Sequence, residues 1–400
     1  MKPAAPSPRA RLGRNVLALA AVSFLTDVAS DMTYPLLPVF LAGVLGVSAT
    51  AVGAIEGAAE STAALLKLAS GWWSDRLARR KPLVLAGYAI ASVVRPLIGL
   101  AQSASQVLAI RVADRVGKGI RGAPRDALIA DSVDPAIRGR AFGFHRAADH
   151  AGAVLGPLLA FALLRWADLD LRSLFLWTAV PGALAVAALA FGVREVPRSA
   201  PARSAKPVDL RTPLGGRFWA FLTVLFVFTL GNSTDAFLLL RAADLGVEPA
   251  LVPILWAMLH VVKSLSSTPG GILSDRLGRK PLLVTGWLLY AAVYLALGQA
   301  GAEWQAWALF GVYGIYFGLT EGVEKALVAD LVPADRRGAA FGWYNLALGL
   351  GALPASLLFG AIWDWKGPTA AFTFGAVLAL LAALGIAVVA PSRSARARSL

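Results

Sequence analysis

Two stretches of this sequence, 200 positions apart, are nearly the same. GWWSDRLARRKP at 71–82 returns as GGILSDRLGRKP at 270–281, with Asp75 and Asp275 in matching places. ALIADSVDPAIRGRAFGF at 127–144 returns as ALVADLVPADRRGAAFGW at 326–343, and LGVSATAV at 45–52 as LGVEPALV at 245–252. A chain that repeats itself over half its length builds the same supersecondary plan twice. Whatever lies between the copies must bring the second back to an equivalent starting point.

The surroundings of these repeats say what the plan is made of. The 400 residues are 57% hydrophobic and 16% charged, with a mean hydropathy of +0.65, well to the apolar side of a soluble protein. Measured against the roughly 20 apolar residues that cross a bilayer, twelve segments stand out, near 15–41, 48–70, 83–101, 105–131, 140–164, 172–193, 217–240, 249–272, 281–299, 304–330, 338–361 and 369–391. The second, third, fourth and tenth are broken by charge or glycine, so their hydropathy should score low. The first run continues through Asp27, Asp31, Tyr34 and Pro35 to Phe40, which reads as a spanning helix and not as a cleaved leader.

Six crossings per copy, an even number, place both copies in the same orientation. The expected architecture is all-α: an N-terminal six-helix half at 1–193, a linker rich in proline and basic residues at 194–216, a second half at 217–391 and a basic tail at 392–400. A pseudo-two-fold axis along the membrane normal would relate the halves around a central cavity. Of the Lys and Arg in the connections, 24 fall on one side, against Arg165, Arg172, Arg241 and Lys366 on the other. Basic loops stay in the cytoplasm, so both termini are expected there, in an inner membrane.

The net charge of +14 is accounted for by those topological clusters and gives no nucleic-acid signature. The chain has no cysteine, so disulfides and thiolate chemistry are excluded. No nucleotide-binding loop or convincing metal or nucleophile motif is present, so neither an enzyme nor a cofactor is expected.

One segment sits badly in lipid. Residues 105–131 have the length of a span yet carry Arg111, Asp114, Arg115, Lys118, Arg121, Arg125, Asp126 and Asp131. At 3.6 residues per turn, Arg111, Asp114, Lys118, Arg121 and Arg125 fall on one stripe with Arg115 at its edge. Because a lipid-facing charge is costly, the stripe is expected to face a wet surface.

The two basic loops resemble the signature G-x-x-x-D-R-x-G-R-K of the major facilitator superfamily. Gly71, Asp75, Arg76, Arg79 and Arg80 carry it in the first half, with Ala78 in place of a glycine; Gly271, Asp275, Arg276, Gly278, Arg279 and Lys280 carry it in the second. The resemblance implies a cytoplasmic gate in which Asp75 lies near Gly338, Asp275 near Gly139, Arg79 pairs with Asp131, and Arg279 with Asp330. Arg115, Gly119 and Ala123 resemble the family's fourth-helix pattern, which implicates Arg115 in proton coupling. Gly152, Gly156 and Pro157 match the start of the family's antiporter pattern, although Leu159 and Ala160 replace its closing glycines; close packing of small residues explains them equally well.

In that family the first, fourth, seventh and tenth helices line the cavity. Here they carry Asp27 and Asp31, Asp114 and Asp126, Asp235, and Glu321 and Glu324. The repeat aligns Arg125 and Asp126 with Glu324 and Lys325, an inverted charge order that implies complementary pairing between halves. Asp27 and Asp235 are the preferred proton carriers, with Asp31 and Glu321 next; Lys118 and Arg121 complete the cavity set. The leading expectation is proton-coupled export of a small organic compound by a monomer in membrane lipid. Competing with it are a proton-coupled importer of an organic anion, drawn by Arg115, Lys118, Arg121 and Arg125, and a receptor built on a transporter fold.

Overall fold

The computed structural model describes residues 12–76, 79–133, 138–195, 213–333 and 336–389. They form twelve helices: α1 Arg14–Val44, α2 Ala49–Arg76, α3 Lys81–Leu100, α4 Ala104–Asp131, α5 Arg138–Trp166, α6 Leu171–Gly192, α7 Gly216–Asp244, α8 Val252–Leu277, α9 Arg279–Gln299, α10 Glu303–Leu331, α11 Ala339–Lys366 and α12 Pro368–Val389. Helices are what a bilayer selects, because each satisfies its own backbone hydrogen bonds where water cannot. Eight of them, α1, α3, α5, α6, α7, α9, α11 and α12, are long and apolar enough to cross a membrane. The chain is an integral, multi-pass membrane protein.

The other four, α2, α4, α8 and α10, run for 28, 28, 26 and 29 residues. At about 1.5 Å per residue this exceeds a bilayer core of about 30 Å, but their composition is too polar for the apolar criterion. This corrects the sequence reading at two helices. α3 is a clear apolar span, because Arg95 is its one charge beyond Lys81. α8 is not, because His260, Lys263 and the serines and threonine at 264–268 interrupt its apolar run.

Several helices are broken at predictable places. Pro35 and Pro38 remove backbone donors from α1, which passes through a 3-10 turn at Tyr34–Leu36 and a π turn at Phe40–Val44. α7 opens over 232–235 before resuming at Ala236. Gly367, at φ 82°, divides α11 from α12 in a conformation that other residues resist. Asp170 caps α6 by accepting from the Ser173 amide at 3.0 Å, and hydrogen bonds from Ser173 hold its carboxyl below the usual carboxylate range.

The chain packs as two compact units: Met1–Tyr34, Leu65–Ala101 and Ala109–Ala205 form one, and Pro35–Ala64, Gln102–Leu108 and Lys206–Leu400 the other. In the first unit Val16, Leu19 and Val22 of α1 meet Val84 and Tyr88 of α3, Leu128 and Ile129 of α4, and Ala185 and Leu189 of α6 in a fully buried core. Glu195 closes the start of α3, accepting from the Arg80 and Lys81 amides at 3.1 and 2.9 Å. In the second unit the first half of α2 lies against α11. A Cβ added at Gly53 would come 2.2 Å from the Ser356 carbonyl oxygen, and one at Gly360 would come 2.6 Å from that of Ala49. Asp364 accepts from the Ala49 and Thr50 amides at 2.9 and 2.8 Å, neutralising the orphan donors at the start of α2.

Candidate functional site

In the first unit the charged stripe of α4 is organised around one carboxylate. Asp114 accepts from Arg95 of α3 at 2.8 Å and has Arg111 and Arg115 at 3.9 and 3.8 Å, and all four side chains are buried. Arg95 also donates to the Thr26 carbonyl of α1 at 3.3 Å. Arg121 is buried too, its guanidinium 4.2 Å from the Tyr88 ring centroid, a cation–π contact. The expectation of a wet stripe is therefore corrected: most of it is an internal ion cluster. An ion pair fully surrounded by partners survives burial where a single charge does not. Lys118 is exposed and Arg125 and Asp126 are partly so.

Asp27 and Asp31 of α1 are half-buried, and α5 approaches them through glycines. A Cβ on Gly152 would lie 2.5 Å from the Phe24 carbonyl oxygen, and one on Gly156 2.6 Å from that of Val28. Gly152, Gly156 and the buried Pro157 thus serve close α1–α5 packing directly beneath the two acids. Among the described residues Asp27 has no hydrogen bond or ion pair. At the start of α5, Asp149 lies 3.5 Å from His145 and 3.6 Å from Arg146, and no group of three or more potential metal ligands converges among the described residues.

The second unit has a different character. Its interior is a slab of stacked and edge-on rings: Phe228 on Trp287 at 4.5 Å, Tyr290 on Tyr294 at 4.1 Å, and Tyr313 on Tyr316 at 5.5 Å. Carboxylates meet this slab through neutral donors. The Tyr313 hydroxyl donates to Asp235 at 2.8 Å, where α7 resumes. Glu324 of α10 is buried and accepts from the Trp287 indole at 3.3 Å and the Tyr344 hydroxyl at 3.1 Å. Glu321, one turn earlier and partly exposed, is held by Lys263 of α8 at 3.2 Å and Lys325 at 3.5 Å, and Lys263 lies 4.1 Å from the Phe317 ring centroid.

Two further expectations need correcting. Arg125, Asp126, Glu324 and Lys325 were expected to pair between halves, yet each finds its partner inside its own unit. Arg125 bonds Asp126 at 2.8 Å, Lys325 bonds Glu321, and Glu324 takes the two aromatic donors. Adjacent helix positions differ by about 100°, so neighbours such as Glu324 and Lys325 face different surroundings. In the basic loops, Asp131 pairs with Arg80, not with Arg79, which is exposed. The second loop pairs Arg279 with Asp330 at 3.3 Å, and Arg279 donates to Ser274 at 2.7 Å. Both pairs span 51 residues; the first loop has one extra residue before its arginine, which displaces Arg79. Arg276 is exposed and Gly271 has open space beside it. The side chains of Asp75, Arg76 and Asp275 and the surroundings of Gly71, Gly139 and Gly338 are outside what the structure describes, so the contacts expected of them are too.

Sequence reasoning missed Arg95, Trp287, Tyr313 and Tyr344. Arg95 carried a signal, since an intramembrane charge is a functional candidate by default; the aromatic donors did not, because a ring in a span reads as packing.

A model of the Major Facilitator Superfamily matches residues 19–262 and 221–399. The chain belongs to that superfamily. It is therefore a transporter and not an enzyme. This facilitator is 34% identical over 379 residues to an uncharacterized MFS-type transporter of Methanocaldococcus jannaschii, a match covering 93% of this chain and 94% of the relative. It is 26% identical over 331 residues to a multidrug resistance protein, MdtH, of Cronobacter sakazakii, covering 80% and 79%. Its fold matches the crystal structure of a D-xylose–proton symporter with a TM-score of 0.71 at 18% identity, over 95% and 97% of the two chains.

Proposed function

We propose that this facilitator is a proton-coupled secondary transporter that takes up a small organic anion by alternating access. Its two six-helix halves, 1–193 and 217–391, would rock as twelve crossings related by a pseudo-two-fold axis, with 194–216 as their linker. The observation that carries the anion reading is the group at Glu321: two lysines, Lys263 and Lys325, share one carboxylate in a partly exposed position. Such a group retains one positive charge for a carboxylate or phosphate. Lys118 and Arg125 of α4, exposed and partly exposed, add cations in the first half, and the likeness in fold to a sugar–proton symporter favours solute and proton moving together. Asp27, Asp31 and Asp235 remain candidates for proton exchange. Arg80–Asp131 and Arg279–Asp330 are candidates for a cytoplasmic gate with Gly71, Asp75, Arg76, Gly271, Asp275 and Arg276.

Export is the second reading, favoured by the likeness to a multidrug resistance protein and by Gly152, Gly156 and Pro157. The test is reconstitution into liposomes with lactate, citrate, glucose 6-phosphate, xylose and tetraphenylphosphonium as solutes. An acid exterior should drive accumulation of one of the anions above its external concentration. Accumulation driven instead by an acid interior would establish exchange and the export reading. Binding without flux under either gradient would leave a receptor.

A further inference from the structure

In the second unit, glycines bring α8 and α10 close together. A Cβ on Gly314 would lie 2.8 Å from the Val262 side chain, and one on Gly318 would lie 2.3 Å from the Ser266 hydroxyl. Beside this seam two rows of side chains meet. His260 and Lys263 of α8, three residues apart, share a helix face, as do Tyr313, Phe317 and Glu321 of α10 at intervals of four. Lys263 lies over the Phe317 ring at 4.1 Å and bonds Glu321 at 3.2 Å. Tyr313 donates to Asp235, whose charged and titratable neighbours are Lys263, His260 and Glu60 of α2.

His260 shows this face a defined chemistry. Its Nδ1 lies 3.1 Å from the Trp256 carbonyl oxygen, and its ring is tilted against the Trp256 indole with centroids 4.7 Å apart. A carbonyl oxygen only accepts, so Nδ1 carries the hydrogen, and in a neutral imidazole Nε2 then holds the lone pair. That nitrogen takes no hydrogen bond among the described residues, in a side chain that is only half-buried.

We infer that this face binds a 2-hydroxycarboxylate, with Lys263 taking the carboxylate and His260 accepting from the hydroxyl. The inference rests on the anion reading above and gives it a substrate class. Its two ends differ in kind. Lys263 and Lys325 share the single carboxylate of Glu321, which leaves a cation for the solute. At the other end the Tyr313 hydroxyl is engaged by Asp235, so Nε2 of His260 waits for a donor. Positions 260 and 263 are about 4.5 Å apart along the helix axis, within reach of one small molecule. An acid lacking the hydroxyl leaves the lone pair on Nε2 unmatched, and Phe317 offers the carbon skeleton an apolar surface.

The test uses the full chain in liposomes and begins with binding. In protein carrying isotope-labelled histidine, the nitrogen resonances that His260→Phe removes should show hydrogen on Nδ1 and none on Nε2 at about pH 8, above the ordinary titration range of histidine. Lactate or citrate should shift the Nε2 resonance where propionate and tricarballylate, which lack the hydroxyl, do not. Hydrogen on Nε2, or a resonance that neither hydroxy acid moves, would overturn the assignment. In counterflow, one hydroxy acid at least should exchange roughly five- to tenfold faster at limiting concentration than its partner without the hydroxyl, the worth of one hydrogen bond. His260→Phe keeps a ring against Trp256 and should erase that ratio with the plain acid's rate unchanged; a merely structural role would lower both rates together. Equal rates within both pairs, or a ratio that survives His260→Phe, would sink the inference. Exchange of glucose 6-phosphate without either pair would leave the anion reading standing and remove the hydroxy-acid class; if no anion exchanges, both fall.

Discussion

α4 and α10 are copies of one helix that have been given opposite chemistry. Asp131 and Asp330 lie 199 positions apart, and the same shift carries Arg95 to Tyr294, Asp114 to Tyr313, Lys118 to Phe317, Arg121 to Thr320 and Tyr88 to Trp287. Where the first unit joins Arg95 to Asp114 by an ion pair at 2.8 Å, the second sets Tyr294 beside Tyr313 with ring centroids 6.3 Å apart. Where the first places Arg121 over Tyr88, the second uses Trp287 to hold Glu324. The first copy surrounds Asp114 with three arginines, Arg95, Arg111 and Arg115. The second gives Asp235 and Glu324 neutral hydroxyl and indole donors and keeps its cations, Lys263 and Lys325, for Glu321. One repeat thus builds its interior from ion pairs and the other from aromatic rings and their polar edges.

Arg95→Leu takes from Asp114 its closest counter-charge; removing one member of a buried pair costs about 3–5 kcal/mol, read as a large fall in thermal stability in detergent. Arg95→Tyr with Asp114→Tyr copies the second unit and removes both charges together, so it should be more stable than Arg95→Leu. A double variant no better than the single would show that the two positions do not form one pair.

Gly156→Ala imports Ala355, its equivalent in the second half, into the α1–α5 contact, where the Val28 carbonyl oxygen leaves no space. Overpacking there should cost about 1–3 kcal/mol, and the reverse change, Ala355→Gly, should cost less. Thermal melts of the two variants side by side make the check.

Tyr313→Phe withdraws the hydroxyl from Asp235. The lost hydrogen bond is worth about 1.5–3 kcal/mol with a charged acceptor and nearer 1 kcal/mol with a neutral one, so the size of the destabilisation reports which form of Asp235 the fold contains. The smallest effects belong to the loops. Arg279→Ala should cost at most about 1 kcal/mol, as partly exposed ion pairs do, Arg80→Ala should cost more because its side chain is buried, and Arg79→Ala should leave stability unchanged. Equal effects of Arg79→Ala and Arg80→Ala would contradict the one-residue displacement.

Much of this was legible in the sequence, and what was missed has physical reasons. The helical plan followed from span length and the repeat, because a bilayer leaves the backbone few choices. The Asp131 partner was also there to be found: the repeat offset is 200 at Asp75 and 199 at Pro82, so one residue is extra between them, and anchoring on the later residues selects Arg80. Glu195 and Asp364 close helix starts far from them in the chain, and no local pattern announces such a cap. The stripe on α4 was read correctly as a face but wrongly as a wet one, because the compensating charge, Arg95, comes from another helix. Glu324 and Lys325 looked like an ionic counterpart of Arg125 and Asp126, while burial beside Trp287 and Tyr344, which sequence order does not encode, separates the two.

The most direct test of the transport reading is proton movement driven by solute alone. Liposomes containing the protein and a pH-sensitive dye are held at equal pH inside and out, and citrate or glucose 6-phosphate is added outside, with protein-free liposomes as control. Uptake of an anion together with protons predicts that the lumen acidifies only where the protein is present; a lumen that stays at its starting pH while solute enters, or turns alkaline, would contradict it.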